Sequence, residues 1–230
     1  MPPPLRIGLL LYPHCMPAGL LAFSDLLHAA NRRAGRAVFE LRYVSLQPAE
    51  VVCPQGLSLH ATHALEKTAL DAVLVPGFWA ESAAQIEDVL GASAALIRAL
   101  ATFDRGKRLW GYCTGVCLLA ASGKLNGQPA TVTWWAAEVM ERHYGKVRWQ
   151  VERSCIVNTR TATASGRIDH RNVPGRSTWH VSAHIGAQGY WRDWRHDRRV
   201  CAPGKAEPGQ RAPRVDIHAG QYHQRGPRIQ

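Results

Sequence analysis

Gly111-Tyr112-Cys113-Thr114-Gly115 has the spacing G-x-C-x-G, the thiol counterpart of the hydrolase G-x-S-x-G elbow. A nucleophile on so sharp a turn needs small neighbours, so that its sulfur stands clear of the sheet and the next backbone N–H faces a ligand. A helix starting at this point would favour thiolate over thiol. The competing assignment is a small buried core residue, since free cysteine is among the most buried types. Pro76-Gly77-Phe78-Trp79 forms a second turn, whose N–H groups could lie near the cysteine or simply close a loop. Cys15 could approach the same edge, either as a disulfide partner of Cys113 or as a separate thiol. His180-Val181-Ser182-Ala183-His184 sets two imidazoles one helical turn apart, but it lacks a Glu and a third ligand. The sequence therefore implies neither a metal nor an organic cofactor.

The elements that must position these groups alternate in type. Residues 6–12 (RIGLLLY) form a near-continuous apolar run, as for a strand covered on both faces. Leu20, Leu21, Phe23, Leu26, Leu27 and Ala30 then recur at helical spacing. Strands are predicted at 39–45, 72–75 and 108–112, with one Ala- and Leu-rich helix over 82–103 between the last two. The 108–112 strand runs into Cys113, and helices follow at 116–121 and 136–143. Short strands are predicted at 147–151, 154–158 and 161–164. This order predicts an α/β three-layer sandwich, a mainly parallel, flavodoxin-like sheet with helices on both faces.

Of 230 residues, 46% are hydrophobic and 20% charged, which excludes collagen-like, coiled-coil and wholly disordered chains. The formal charge of +11 would ordinarily point to a nucleic-acid partner, but it is unevenly spread. Residues 166–230 hold 11 Arg and one Lys against four Asp and one Glu, with six of the 11 His and no Leu, Phe or Met. That segment cannot bury enough apolar area to offset an ordering entropy of roughly 1–2 kcal/mol per residue. We therefore take 1–165 as the folded domain and 166–230 as a basic tail, disordered or derived from another reading frame. Its Trp/Arg run 191–199 (WRDWRHDRR) mimics a nucleic-acid surface, yet solvated charge supports only weak, salt-sensitive binding. Residues 1–5 lack a basic leader, and no stretch approaches the roughly 18 apolar residues of a membrane span. The six cysteines show no CxxC pairing, so a cytoplasmic protein with reduced thiols and no membrane partner is predicted.

Three stretches resemble the ThiJ/PfpI superfamily of class I glutamine amidotransferase-like domains, and more narrowly the amino-terminal domain of AraC-type transcriptional regulators. They are RIGLLLYPHCMPAGLLAFSDLLHAANR at 6–32, DAVLVPGFWA at 71–80 and GYCTGVCLLAASGKLNGQPATVTWW at 111–135. The resemblance implies a small-molecule site around Cys113, lined by Cys15, Gly19, Gly77, Phe78, Trp79, Thr114 and Trp134. It also implies a homodimer, with DNA read only in intact relatives by two helix-turn-helix units that follow the domain. Active superfamily members support the elbow cysteine with an acid after the first strand and often a histidine. Here Gly19 stands at the acid's position, Asp25 lies too far along the helix, and Val132-Thr133-Trp134 replaces Thr-His-Trp. Acid–base help is typically worth 10²–10⁴-fold, so these departures favour ligand sensing over hydrolysis. The alternative is a cysteine-dependent hydrolase or hydratase of small amide, nitrile-like or carbonyl substrates. Cys113 would then be the nucleophile, with the Phe78 and Thr114 N–H groups stabilising an oxyanion. A third alternative is a stand-alone redox sensor.

The family continues after Thr-Ala-Ser-Gly with an apolar helix, whereas this chain turns to Arg167-Ile168-Asp169-His170. Back-translated with GC-leaning codons and displaced by one base, residues 166–174 can read Ala-Gly-Leu-Thr-Ile-Ala-Thr-Tyr-Leu. We expect a frameshift near Ser165-Gly166, leaving a truncated regulator without specific DNA binding; the alternative is a natural basic tail. Sequencing the gene past codon 165 tests this: a displaced frame should encode an apolar helix and then helix-turn-helix units. Absence of both from the two other frames overturns the idea.

Overall fold

The computed structural model describes residues 2–104 and 106–166; the basic segment 167–230, with the His180/His184 pair and the 191–199 run, lies outside the described residues. In chain order the elements are β1 (Leu5–Leu10), α1 (Pro17–Ala34), β2 (Phe39–Ser45), β3 (Ala49–Val52), β4 (Ser58–Ala61), β5 (His63–Ala64) and β6 (Ala72–Val75). They continue with α2 (Ala83–Ala92), α3 (Ala94–Thr102), β7 (Arg108–Tyr112), α4 (Gly115–Ala121), β8 (Pro129–Ala130) and α5 (Ala137–His143). The last are β9 (Arg148–Trp149), β10 (Cys155–Val157) and β11 (Thr161–Ala164).

Seven strands form one sheet in the order β10-β11-β7-β6-β1-β2-β5, parallel throughout except at β10–β11. The central strands β1 and β6 are almost wholly buried, which explains their unbroken apolar sequences. From β1 the chain crosses through α1 to β2 on one side; from β6 it crosses through α2 and α3 to β7 on the other. Right-handed crossovers in opposite directions place those helices on opposite faces, giving the three-layer α/β sandwich expected from the sequence. They also make the β1/β6 boundary a topological switch point, where the carboxyl ends of the strands open a crevice.

The single helix expected over 82–103 is two helices. Ser82 caps α2 by accepting a hydrogen bond from the Gln85 N–H, and the chain leaves helical geometry at Ser93 (φ −92°, ψ 18°). The reason is phase. α2 buries Ile86 and Leu90, and α3 buries Leu96 and Leu100. In an unbroken helix Leu90 and Leu96 would point roughly 120° apart. The break returns both apolar pairs towards the core, where α2 and α3 each pack on α4. The β3–β4 hairpin, absent from the sequence-based assignment, forms its own two-stranded sheet.

At the amino edge, Asp71 clamps the entries to β1 and β7. Its carboxylate accepts from the Arg6 N–H (3.0 Å) and the Arg6 guanidinium (3.0 and 2.9 Å), with Lys107 Nζ 3.6 Å away. The Arg6 hydrogen bond, above all, holds the Asp71 carboxyl at about 2, below its ordinary 3.8. A depressed carboxylate contributes stability above its unfolded value and loses it as pH falls towards the folded one. Asp71→Asn should therefore lower stability at pH 7 and converge on wild type between about pH 4 and pH 2. Urea unfolding across that range measures the difference.

Candidate functional site

Cys113 follows β7 at the carboxyl edge with φ of +53°, a left-handed conformation uncommon for a side-chain-bearing residue. Such strain costs of order 1–3 kcal/mol and persists only where the surroundings over-determine it. Three neighbouring glycines show how. A Cβ on Gly115 would lie 2.3 Å from the Pro76 carbonyl oxygen, and one on Gly111 2.8 Å from Leu119 Cδ1. At Gly77 a Cβ would come within 3.1 Å of Cys113 Cβ and Thr114 Oγ1. The Cys113 N–H donates to the Ala164 carbonyl (2.8 Å), tying the elbow to the end of β11. Gly166, φ +67°, then passes so close that a Cβ on it would lie 3.4 Å from Cys113 Sγ.

Three loops are tied together here. Thr114 Oγ1 accepts from the Phe78 N–H (2.7 Å) and donates to the Phe78 carbonyl (2.6 Å). The Met16 N–H donates to the Gly77 carbonyl (2.7 Å), and Cys15 bridges Phe78 in antiparallel fashion. The structure thus brings Cys15, Gly77, Phe78, Thr114 and Cys113 into one hydrogen-bonded cluster. Trp79 follows directly and is 54% exposed. Trp134 is 67% exposed, at the start of a short 3₁₀ turn (Trp134–Ala136), with no hydrogen bond linking it to the elbow.

One expectation is corrected, and one of two alternatives is chosen. The Phe78 N–H is not directed at an oxyanion, because Thr114 Oγ1 already holds it. Of the two alternatives for Cys15, the structure has the separate thiol: Cys15 and Cys113 are both free, and Cys15 Sγ lies 3.8 Å from Cys53 Sγ. Cys53 was missed because 38 residues of chain separate the pair and neither sits in a recognisable motif.

The position of the missing acid has a geometric explanation that sequence could not supply. A Cβ on Gly19 would meet the Tyr112 hydroxyl oxygen at 2.8 Å, so the Tyr112 ring fills the space that a side chain at 19 would enter. The Tyr112 hydroxyl is buried and makes no hydrogen bond among the described residues. Asp25 is exposed on α1, and Thr133, at the histidine's position, is buried. Burial pushes the Cys113 thiol up, opposed by hydrogen bonding from the backbone and side chain of Thr114; among the described residues no carboxylate or imidazole acts on it. The thiolate expected from the start of α4 is thus overridden by desolvation. Cys117, one turn on, is fully buried in the core.

A family model described as "DJ-1/PfpI family" matches residues 23–173. The HTH-type transcriptional regulator GbdR of Pseudomonas aeruginosa is 25% identical over 169 residues, covering 71% of this chain and 43% of that protein. The chain therefore spans less than half the length of this curated relative. An AraC family transcriptional regulator from Pseudomonas putida superposes with a TM-score of 0.56 and 21% identity, covering 81% of this chain and 93% of that one. DJ-1beta of Drosophila melanogaster gives 0.58 and 16%, covering 84% and 95%. At these identities the structural likeness is one of fold.

A thiol whose protonated form is favoured by burial reacts slowly at neutral pH and faster as pH rises. Iodoacetamide labelling of Cys113, followed by peptide mass spectrometry, should be slower at pH 7 than that of a free cysteine and should climb continuously beyond pH 8.5. A plateau below pH 7 would show an activated thiolate.

Proposed function

The chain belongs to the DJ-1/PfpI family, and from that premise we propose that residues 1–165 are the ligand-sensing domain of an AraC-type transcriptional regulator. The observation that carries this reading is Tyr112 in the space beside Gly19, which leaves Cys113 without an acid–base partner among the described residues. A cysteine kept as a thiol, with only neutral groups around it among the described residues, is suited to contact a ligand rather than to give up its proton. The similarity to GbdR, a transcriptional regulator, supports the same assignment.

On this proposal a small molecule enters at the switch-point crevice, between the loop after β1, the Gly77–Trp79 turn and the elbow. Cys113 and Thr114 form its floor, and the exposed Trp79 and Trp134 border its entrance. The domain pairs with a second copy in the cytoplasm, and specific DNA reading belongs to helix-turn-helix units outside residues 1–165. Among the described residues no helix is long and apolar enough to cross a membrane.

The left-handed elbow and the Thr114 contacts to sulfur are also what a cysteine hydrolase would use, so the test separates the two. A panel of small metabolites is screened by intrinsic fluorescence and thermal shift, with Trp79→Phe, Trp134→Phe and Cys113→Ser in parallel. A saturable fluorescence change that either Trp variant reduces, with a raised melting temperature and no ligand turnover, is expected. Turnover of an amide or carbonyl compound that Cys113→Ser abolishes would instead establish the hydrolase.

A further inference from the structure

We propose that Cys15 and Cys53 form a redox-modification site of their own, a dithiol that a hydroperoxide closes to a disulfide without participation of Cys113. The two sulfurs lie 3.8 Å apart, and a disulfide needs about 2.05 Å, so they must approach by less than about 2 Å. Among the described residues no other two cysteine sulfurs are in such contact.

Both thiols are buried, and they differ in their access to a neighbouring cavity. Cys15 is 0% exposed, and its loop is held by main-chain bonds: Cys15 N–H to the Tyr12 carbonyl (3.0 Å) and Met16 N–H to the Gly77 carbonyl (2.7 Å). Cys53 lies in the connection between β3 and β4, where its N–H donates to the Leu57 carbonyl (2.8 Å). It also lines a cavity of about 930 Å³, together with Tyr12, His14, Val51 and Leu96. That volume far exceeds the roughly 30 Å³ a water occupies in the liquid, so a small hydroperoxide fits. Cys15 and Cys113 do not line it. Cys53 is thus the sulfur that a peroxide in this cavity meets first, while burial pushes the Cys15 thiol up.

The steps balance. The Cys53 sulfur attacks the peroxide; an S–O bond forms, the O–O bond breaks, and the products are Cys53 sulfenic acid and one alcohol, or water from hydrogen peroxide. Cys15 sulfur then attacks Cys53 sulfur, the S–O bond breaks, and hydroxide leaves with the Cys15 proton as water. Two thiols lose two electrons in total, and one peroxide gains them.

The full chain is treated with hydrogen peroxide, alkylated under denaturing conditions and digested with trypsin. Cleavage after Lys and Arg places Cys15 in peptide 7–32 and Cys53 in peptide 43–67. The expected product is these two peptides joined with loss of two hydrogens, in wild type and in Cys113→Ser alike. It should disappear on dithiothreitol treatment while Cys117 and Cys155 remain alkylatable. The proposal fails if Cys15 and Cys53 both remain alkylatable after peroxide that oxidises Cys113, or if Cys15 is recovered joined to Cys113. Because wild type carries the readout, the result does not depend on a Cys53 variant folding, nor on the sensing assignment.

Discussion

Helix α4 begins directly against the carbonyls of Val75 and Pro76, and it does so because residue 115 has no side chain. A Cβ there would sit 2.3 Å from one oxygen and 2.6 Å from the other. This close approach brings the end of β7 alongside the end of β6 and sets Thr114 beside Phe78. The reciprocal Thr114–Phe78 hydrogen bonds, each worth about 1 kcal/mol, together with the burial of α4, offset the cost of the left-handed Cys113. The strained elbow is therefore a product of packing between two strand ends rather than of the cysteine itself.

That packing leaves the sulfur half-buried and, among the described residues, next to neutral groups. Desolvation outweighs the Thr114 hydrogen bonds, and the ring of Tyr112 occupies the approach from α1. Tyr112 is held above its ordinary range first by burial and then by the neighbouring Cys15 and Cys113, so its hydroxyl keeps its proton. The same backbone that could present an activated nucleophile presents a protonated thiol beside a protonated phenol. Chemistry at this edge is decided by what stands next to the elbow, not by the elbow's shape.

The parallel strands, the elbow and the glycines around it were legible in the sequence because each is local: an apolar run, a five-residue spacing, a turn dipeptide. The break at Ser93 was hidden because the Ala-rich composition supports a helix throughout 82–103, and only the phase of Leu90 against Leu96 reveals the turn. The β3–β4 hairpin escaped because each strand is four residues long and the pair stands apart from the central sheet. At the site, the loss of an acid at 19 could be read, but not that Tyr112 fills its place. The engaged Phe78 N–H and the Cys15–Cys53 contact likewise arise from tertiary packing across tens of residues.

Gly166 has a mechanical consequence. A Cβ on it would already lie 3.2 Å from Cys113 Cβ and 3.4 Å from the sulfur, and its positive φ resists any other residue. An atom added to that sulfur on its Gly166 flank and the peptide leaving β11 would contend for the same few tenths of an ångström. The Cys113 N–H also donates to the Ala164 carbonyl two residues earlier, so the elbow meets the chain leaving β11 on both sides of Ser165. The chain thus leaves β11 within one side-chain atom's reach of the thiol.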